Sequence, residues 1–377
     1  MIAVFILRLS PALIAGETEY FIMKYGKSLQ ELLTVLRDRE KKDFTVDSSN
    51  LQYDHKSNQL ITLENNEAYK VNQTCMDQIG TKLNIPSKYM DILNTDEHRE
   101  LLSTNINYWF ENSNKQVMVR AFDKYQDQPA TARAFLSPRY KVVDHDQICE
   151  MVLPRLLDNP EIEIVQSEIT EKKLYIKAVN HSMKSEISVG DIVESGITIS
   201  NSEVGYGSVS ITPFIYRLVC SNGLKVNDSK IQAKHLTSSQ ADRDGVYNLL
   251  SDEAKQKDSE ALLLKCRDVT ESVLSQTVFN DTVDKLREAN SVRIEQPKKA
   301  IEFISKKFSL NQLEQESVFD RVLNRDDNNN YTSKYSIVNA VTNLANSDQV
   351  SFDRADDLQS IGGLILNLPN SELARVA

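Results

Sequence analysis

At 377 residues, with 40% hydrophobic and 26% charged side chains and only 11 Gly and 9 Pro, the chain has the makeup of a globular protein with a sizeable core, which excludes a fibrous or largely disordered one. A formal net charge of -10 excludes a uniformly basic coat for duplex DNA but not a local basic groove, because phosphate affinity depends on where the charge sits. The four cysteines, Cys75, Cys149, Cys220 and Cys266, form no C-x-x-C pair; this excludes the usual zinc-ribbon and thioredoxin spacings and reads as free, mostly buried thiols of a reducing, cytoplasmic compartment.

The first 22 residues are apolar on both sides of Arg8, with no positive charge ahead of the apolar stretch as a signal peptide requires. Arg8, Glu17 and Glu19 interrupt any membrane span, so no membrane association is expected. Met23 opens an amphipathic start, and residues 1–22 read as an extension ahead of the natural initiator. Ser28 with Glu31 three residues on, followed by Leu32, Leu33 and Leu36, predicts a capped helix to about Arg39. A polar stretch runs to about Lys70, with a hairpin near Lys56-Ser57-Asn58. Residues 73–94 read as helical with a break at Pro86, and residues 97–112 as a further helix that carries the sole tryptophan, Trp109.

From about residue 116 the period changes to two, predicting strands over Val117–Phe122 and Thr131–Leu136. Asp144 with Gln147 caps a helix through Leu157, and strands follow at about 162–168 and 173–180. Alternation through Val209, Ile211, Phe214, Tyr216, Leu218 and Cys220 predicts another strand, and Ser221-Asn222-Gly223 a tight type I′ hairpin turn after it. Beyond about 245 the pattern is helical: Leu262, Cys266, Val269 and Val273 share a face, and helices are expected at 297–308, 310–324 and 333–346 with a polar turn at Arg325–Asn330. The fold class is therefore α+β: an N-terminal mixed part (23–112), a mainly antiparallel β-rich core (113–245) and an α-helical region (246–377).

Catalytic motifs are incomplete. Gly205-Tyr206-Gly207 begins a dinucleotide fingerprint, but Ser210 stands at its last position and a strand follows, so it reads as a loop leading into that strand. The acids and asparagines after Arg325 lack the glycine and glutamate of a calcium loop. Asp144-His145-Asp146 has metal-ligand chemistry without a second ligand pair, and a helix cap accounts for Asp144 better. Asp191, Glu194 and Glu203 read as solvated loop acids rather than a Mg²⁺ site, and nothing places Cys220 beside His235 as a nucleophile pair. No cofactor is indicated, and an enzymatic role is not favoured.

Charge is more informative. From Lys115 to Lys141 six cations (Lys115, Arg120, Lys124, Arg133, Arg139, Lys141) face two acids, with Phe122, Tyr125, Phe135 and Tyr140 interleaved. Between Arg217 and Lys234 four cations face only Asp228. Cations to follow phosphates and rings on which bases stack are what single-strand binding needs, if both point to solvent.

Several blocks carry a family resemblance. Lys27-Ser28-Leu29-Gln30-Glu31-Leu32, Arg133-Ala134-Phe135-Leu136-Ser137-Pro138-Arg139-Tyr140-Lys141, Asn201-Ser202-Glu203-Val204-Gly205-Tyr206-Gly207-Ser208, Arg217-Leu218-Val219-Cys220-Ser221-Asn222-Gly223 and Asn339-Ala340-Val341-Thr342 within Tyr335–Ala345 together resemble the phage/plasmid-like family called domain of unknown function 932, from about residue 23 onward. The resemblance implies carriage on phages, plasmids and prophages among DNA-transfer, recombination and counter-defence functions, but no settled activity. By fold analogy alone, a β-rich core with long helices is also compatible with phage strand-annealing proteins.

The first expectation is a non-catalytic, oligomeric protein of the host-cell cytoplasm that binds single-stranded nucleic acid, using Arg120, Arg133, Arg139, Lys141 and Arg217 for phosphates and Phe135 and Tyr140 for stacking. The alternative is a counter-defence or anti-restriction protein that engages a host protein partner through its acidic surface. A metal-dependent enzyme using Asp144, His145 or Glu203 is the third reading.

Overall fold

The computed structural model describes residues 27–38, 40–95, 97–219, 222–226, 252–323 and 331–374. Helix α1 (Leu29–Arg37) starts where the spacing of Ser28 and Glu31 places it, through a reciprocal capping box. The polar stretch that follows contains four short strands, β1 (Phe44–Asp47), β2 (Leu51–Asp54), β3 (Gln59–Thr62) and β4 (Ala68–Val71). Their inward residues Leu51, Tyr53, Leu60, Tyr69 and Val71 are too widely spaced among polar neighbours to stand out in sequence. Pro86 separates α2 (Gln73–Lys82) from α3 (Ser87–Leu93), and α4 (Arg99–Ser113) follows.

Strands β5 (Gln116–Phe122) and β6 (Thr131–Leu136) complete a six-stranded sheet of order β1-β5-β6-β4-β3-β2, antiparallel except for the β4–β6 pair. Because β1 pairs with β5, the boundary expected at 112/113 runs through this sheet and separates nothing.

Helix α5 (His145–Leu157) leads into a second sheet, an antiparallel meander of β7 (Ile162–Ile169), β8 (Leu174–Ser188), β9 (Asp191–Asn201), β10 (Ser210–Arg217) and β11 (Asn222–Lys225). Helices α1, α5 and α6 (Asp252–Val273) cover it through Leu32, Leu33, Ile148, Val152, Leu262 and Cys266 against Ile176, Ile197 and Ile199. The remaining helices, α7 (Gln276–Ser291), α8 (Pro297–Phe308), α9 (Gln312–Leu323), α10 (Lys334–Asn343), α11 (Phe352–Leu366) and α12 (Asn370–Ala374), build a C-terminal bundle. Its core continues into Met183, Ile187, Val193, Ile215 and Leu224 of the second sheet. The architecture is α+β. Cys75, Cys149 and Cys266 are buried free thiols; Cys220 and His235 lie outside the described residues, as do the extension 1–22 and the turn expected at Arg325–Asn330.

One local expectation is corrected. The β10–β11 hairpin exists, but Asn222 and Gly223 are in the strand, opposite Arg217 and Tyr216, and not in its turn. The glycine is required there for space: a Cβ on Gly223 would lie 2.0 Å from Cζ of Phe214, a ring that is itself fully buried. Gly223→Ala is therefore expected to destabilise the protein by about 1–3 kcal/mol through overpacking. Phe214→Leu in the same chain should restore part of the loss, measured as the urea unfolding midpoint.

Candidate functional site

The two sheets meet at the loop that joins β9 to β10. Backbone freedom at Gly205 (φ +83°) and Gly207 (φ +138°) lets this loop turn tightly. Three side-chain bonds fix it: Tyr140 Oη donates to Ser202 O (2.8 Å), Gln78 Nε2 to Val204 O (2.6 Å), and Ser202 Oγ to Lys172 O (2.8 Å). Val204 packs with Ala134 and Leu136 beneath it, and the loop sets Glu203 between the sheets.

Around Glu203 lies a network of cations and carboxylates. Arg120, fully buried beside a register shift in β5, donates from Nε to Asp43 (2.8 Å), from Nη2 to Asp144 (2.7 Å) and from Nη1 to Glu203 O (2.9 Å). Arg133 Nη1 donates to the Glu203 carboxylate, whose other oxygen accepts the His145 backbone N–H (2.7 Å). Lys41 reaches Asp146 (2.8 Å), Asp144 (3.1 Å) and Glu203 (3.6 Å). Asn201 Nδ2 donates to His145 Nδ1 (3.0 Å), which leaves the imidazole proton on Nε2.

Burial pushes the His145 pKa down to about 4, with Arg133 and Lys41 adding to the effect against Glu203 and Asp144. Burial works the other way on Glu203, but the charges around it, from His145, Arg133, Lys41 and Arg120, hold its carboxyl below the ordinary range. With His145 neutral at pH 7, Arg133, Lys41 and Arg120 are the charges responsible.

The expected contact residues are thus distributed differently from a shared open groove. Arg120 and Arg133 do converge, both on Glu203, but their common face is covered by the β9–β10 loop and they are 0% and 6% exposed. Phe135 is fully buried and stacks on Phe110 with ring centroids 5.8 Å apart, so no base can reach it. Lys141 is buried, Tyr140 is half-buried with its hydroxyl on Ser202, and Arg139 is exposed in the turn after β6. Arg217 belongs to the other sheet, where it grips Asp191 with two bonds (2.5 and 3.0 Å), and Tyr335 Oη donates to the same carboxylate (3.0 Å).

The acids read as solvated are not. Asp191 is buried against Arg217 and Tyr335, Glu194 against His181 (2.9 Å) and Lys184 (2.6 Å), and Glu203 in the network above. Asp144 is the helix cap, in a capping box with Gln147. Among the described residues no group of three or more His, Cys, Asp or Glu is arranged to hold a metal ion.

What opens to solvent beside the network is a cleft that the sequence did not indicate. Two adjoining cavities of ≈ 390 and ≈ 310 Å³ share Asn72, Phe122, Thr131 and Glu171 in their walls. The inner one reaches Arg133, Lys41, Lys27 and Lys172; the outer one reaches Lys70 and Tyr125. The Arg133 guanidinium lies 4.2 Å from the Phe122 ring centroid, and Lys172 lies 4.9 Å from that of Tyr206. Lys27, Lys41, Lys70 and Lys172 are far apart in sequence, and no local count of charge groups them.

Among the described residues no helix is long and apolar enough to cross a membrane. No curated protein and no solved structure matches the chain. The blocks that meet at the junction, Arg133–Lys141 and Asn201–Ser208, are packed against each other, and the block from Arg217 meets the one from Tyr335 through Asp191 and through Asn222 Nδ2 on Thr342 Oγ1 (2.7 Å). All but the first residue of these blocks falls within residues 134–361, more than half of the chain, which match the model of the family described as Domain of unknown function (DUF932), and the chain belongs to that family.

Proposed function

We propose that this protein binds single-stranded nucleic acid in the cleft between its two sheets, without cutting or joining it, as an accessory protein of phage- or plasmid-borne recombination or DNA transfer. The observation that carries the reading is the cleft's lining: Lys27, Lys70 and Lys172 stand with Phe122 and Tyr125, and with the acids Asp123 and Glu171, in two adjoining cavities that share four residues. Single-strand binders combine cations that follow the backbone with rings on which bases stack. Binding rather than turnover is favoured because the titratable groups at its inner end are already engaged, Glu203 by Arg133 and His145 by Asn201. The buried arginines keep a structural part in this reading: they hold the two walls together.

Fluorescence anisotropy with a labelled oligonucleotide lacking terminal phosphates tests it. Wild-type protein should bind the single strand more tightly than the matching duplex, with affinity falling as salt rises. The double substitution Lys70→Ala, Lys172→Ala should weaken binding and reduce the log–log salt slope by about 1.4, two contacts at about 0.7 each. No binding by the wild type, or a double variant with the same affinity and slope, would end the proposal.

A further inference from the structure

We propose that the inner end of the cleft is a receptor for a phosphate monoester, carried either by a strand terminus or by a free mononucleotide. For the strand terminus, the proposal rests on the nucleic-acid reading above. The mononucleotide arm does not.

Arg133 is the centre of this site. Its side chain is almost wholly enclosed, its Nη1 is on Glu203, and one face of the guanidinium lies against the Phe122 ring. The Nε and Nη2 atoms are buried and have no hydrogen-bond partner among the described residues. Unpaired N–H groups on a buried cation are costly, and native structures seldom retain them without a purpose. These two donors share one edge of a planar fork, and that edge matches two oxygens of a phosphate or carboxylate.

Charge and shape narrow the occupant. The walls of the inner cavity carry Lys27, Lys41, Lys172 and Arg133 against Glu171 and Glu203; Lys27 is paired with Glu168 and Lys41 with Asp144 and Asp146, so Lys172 and Arg133 are the cations a ligand would meet. A phosphate monoester brings close to two negative charges at neutral pH, whereas an internal diester brings one. Arg133 stands in the wall of this cavity, where a projecting terminal group is better placed to approach it than a mid-chain phosphate, which would have to carry both neighbouring nucleotides in with it. Val35, Leu36 and Ile169 give the same cavity an apolar side suited to a sugar or base. At ≈ 390 Å³ it falls in the size range of small-molecule sites.

Two sets of measurements decide the matter. Anisotropy would compare oligonucleotides with a 5′-phosphate, a 3′-phosphate or hydroxyls at both ends; at least one phosphorylated strand should bind ten times or more tighter than the hydroxyl strand. Calorimetry would titrate thymidine 5′-monophosphate, thymidine and inorganic phosphate into wild-type protein; the monophosphate should bind saturably and thymidine should not. Arg133→Lys, which keeps a charge for Glu203 but loses the fork, should abolish both preferences. If all three strands bind equally and the monophosphate does not bind, the receptor is overturned and the nucleic-acid reading stands. If no strand binds but the monophosphate does, the nucleic-acid reading falls and the receptor stands as a nucleotide site. Failure of both strands and monophosphate overturns both proposals. The wild-type arms alone separate these outcomes, so a poorly folding Arg133→Lys does not affect them.

Discussion

Replacing Glu203 by alanine is expected to destabilise the protein by about 3–5 kcal/mol, the range for removing one partner of a buried ion pair and leaving the other charge uncompensated. The substitution strips Arg133 of its one hydrogen-bonded counter-ion and also leaves the buried His145 backbone N–H without its acceptor. It tests the idea that the two sheets are held in place by this network and not by apolar contact alone, since only a small cluster (Ala134, Leu136 and Val204) packs at the same junction. Removing both charges together, as Glu203→Ala with Arg133→Met, should cost much less than the sum of the single changes, because apolar replacement of a whole buried pair is often close to neutral. Urea unfolding followed by circular dichroism gives all three values. A Glu203→Ala chain within about 1 kcal/mol of wild type would show that the carboxylate is dispensable and that the junction is held by something else.

Stability should also fall on mild acidification, between about pH 6.5 and pH 4. His145 has a folded-state pKa depressed to about 4 from an ordinary 6.5, chiefly by burial. Between those values the unfolded chain binds a proton that the folded chain refuses, so stability rises with pH across the window and is lost as pH drops through it. A shift of that size is worth on the order of 3 kcal/mol when fully expressed, with a slope near 1.4 kcal/mol per pH unit in mid-window. Glu203, depressed below the usual carboxylate range, behaves differently: its contribution persists through the same window and is lost only at lower pH, as its folded-state value is passed. Chemical denaturation at pH 7.0 and 4.5 should show the loss in wild type. In His145→Gln, which cannot titrate, the difference should be smaller by most of that amount. Equal slopes for the two chains would mean that carboxylates elsewhere set the acid limit.

Some features were legible because they are local. The capping boxes at Ser28–Glu31 and Asp144–Gln147 depend on a spacing of three residues, and both helices begin where that spacing puts them. The alternating strands β5 and β6 and the helix starting at Pro297 follow from the same kind of short-range rule. Strand β9 escaped although Ile197-Thr198-Ile199-Ser200 alternates, because the acids Asp191 and Glu194 and Gly196 in its first half look like loop residues until their burial is seen. At Gly223 an Asn-Gly pair that usually signals a turn was instead a strand position crowded by Phe214.

Charge misled for a related reason. A window from Lys115 to Lys141 counts Arg120 and Arg133 as uncompensated, yet their partners stand at Asp43, Asp144 and Glu203, all outside it. The sequence by itself determined the α+β class, most helix starts and the family, because hydrophobic period and caps act over three or four residues. Only the tertiary structure decided which cations are neutralised and which line a cleft, because an ion pair forms between whichever segments the closed chain brings together, and Asp43 and Arg120, 77 positions apart, carry no local sign of that meeting.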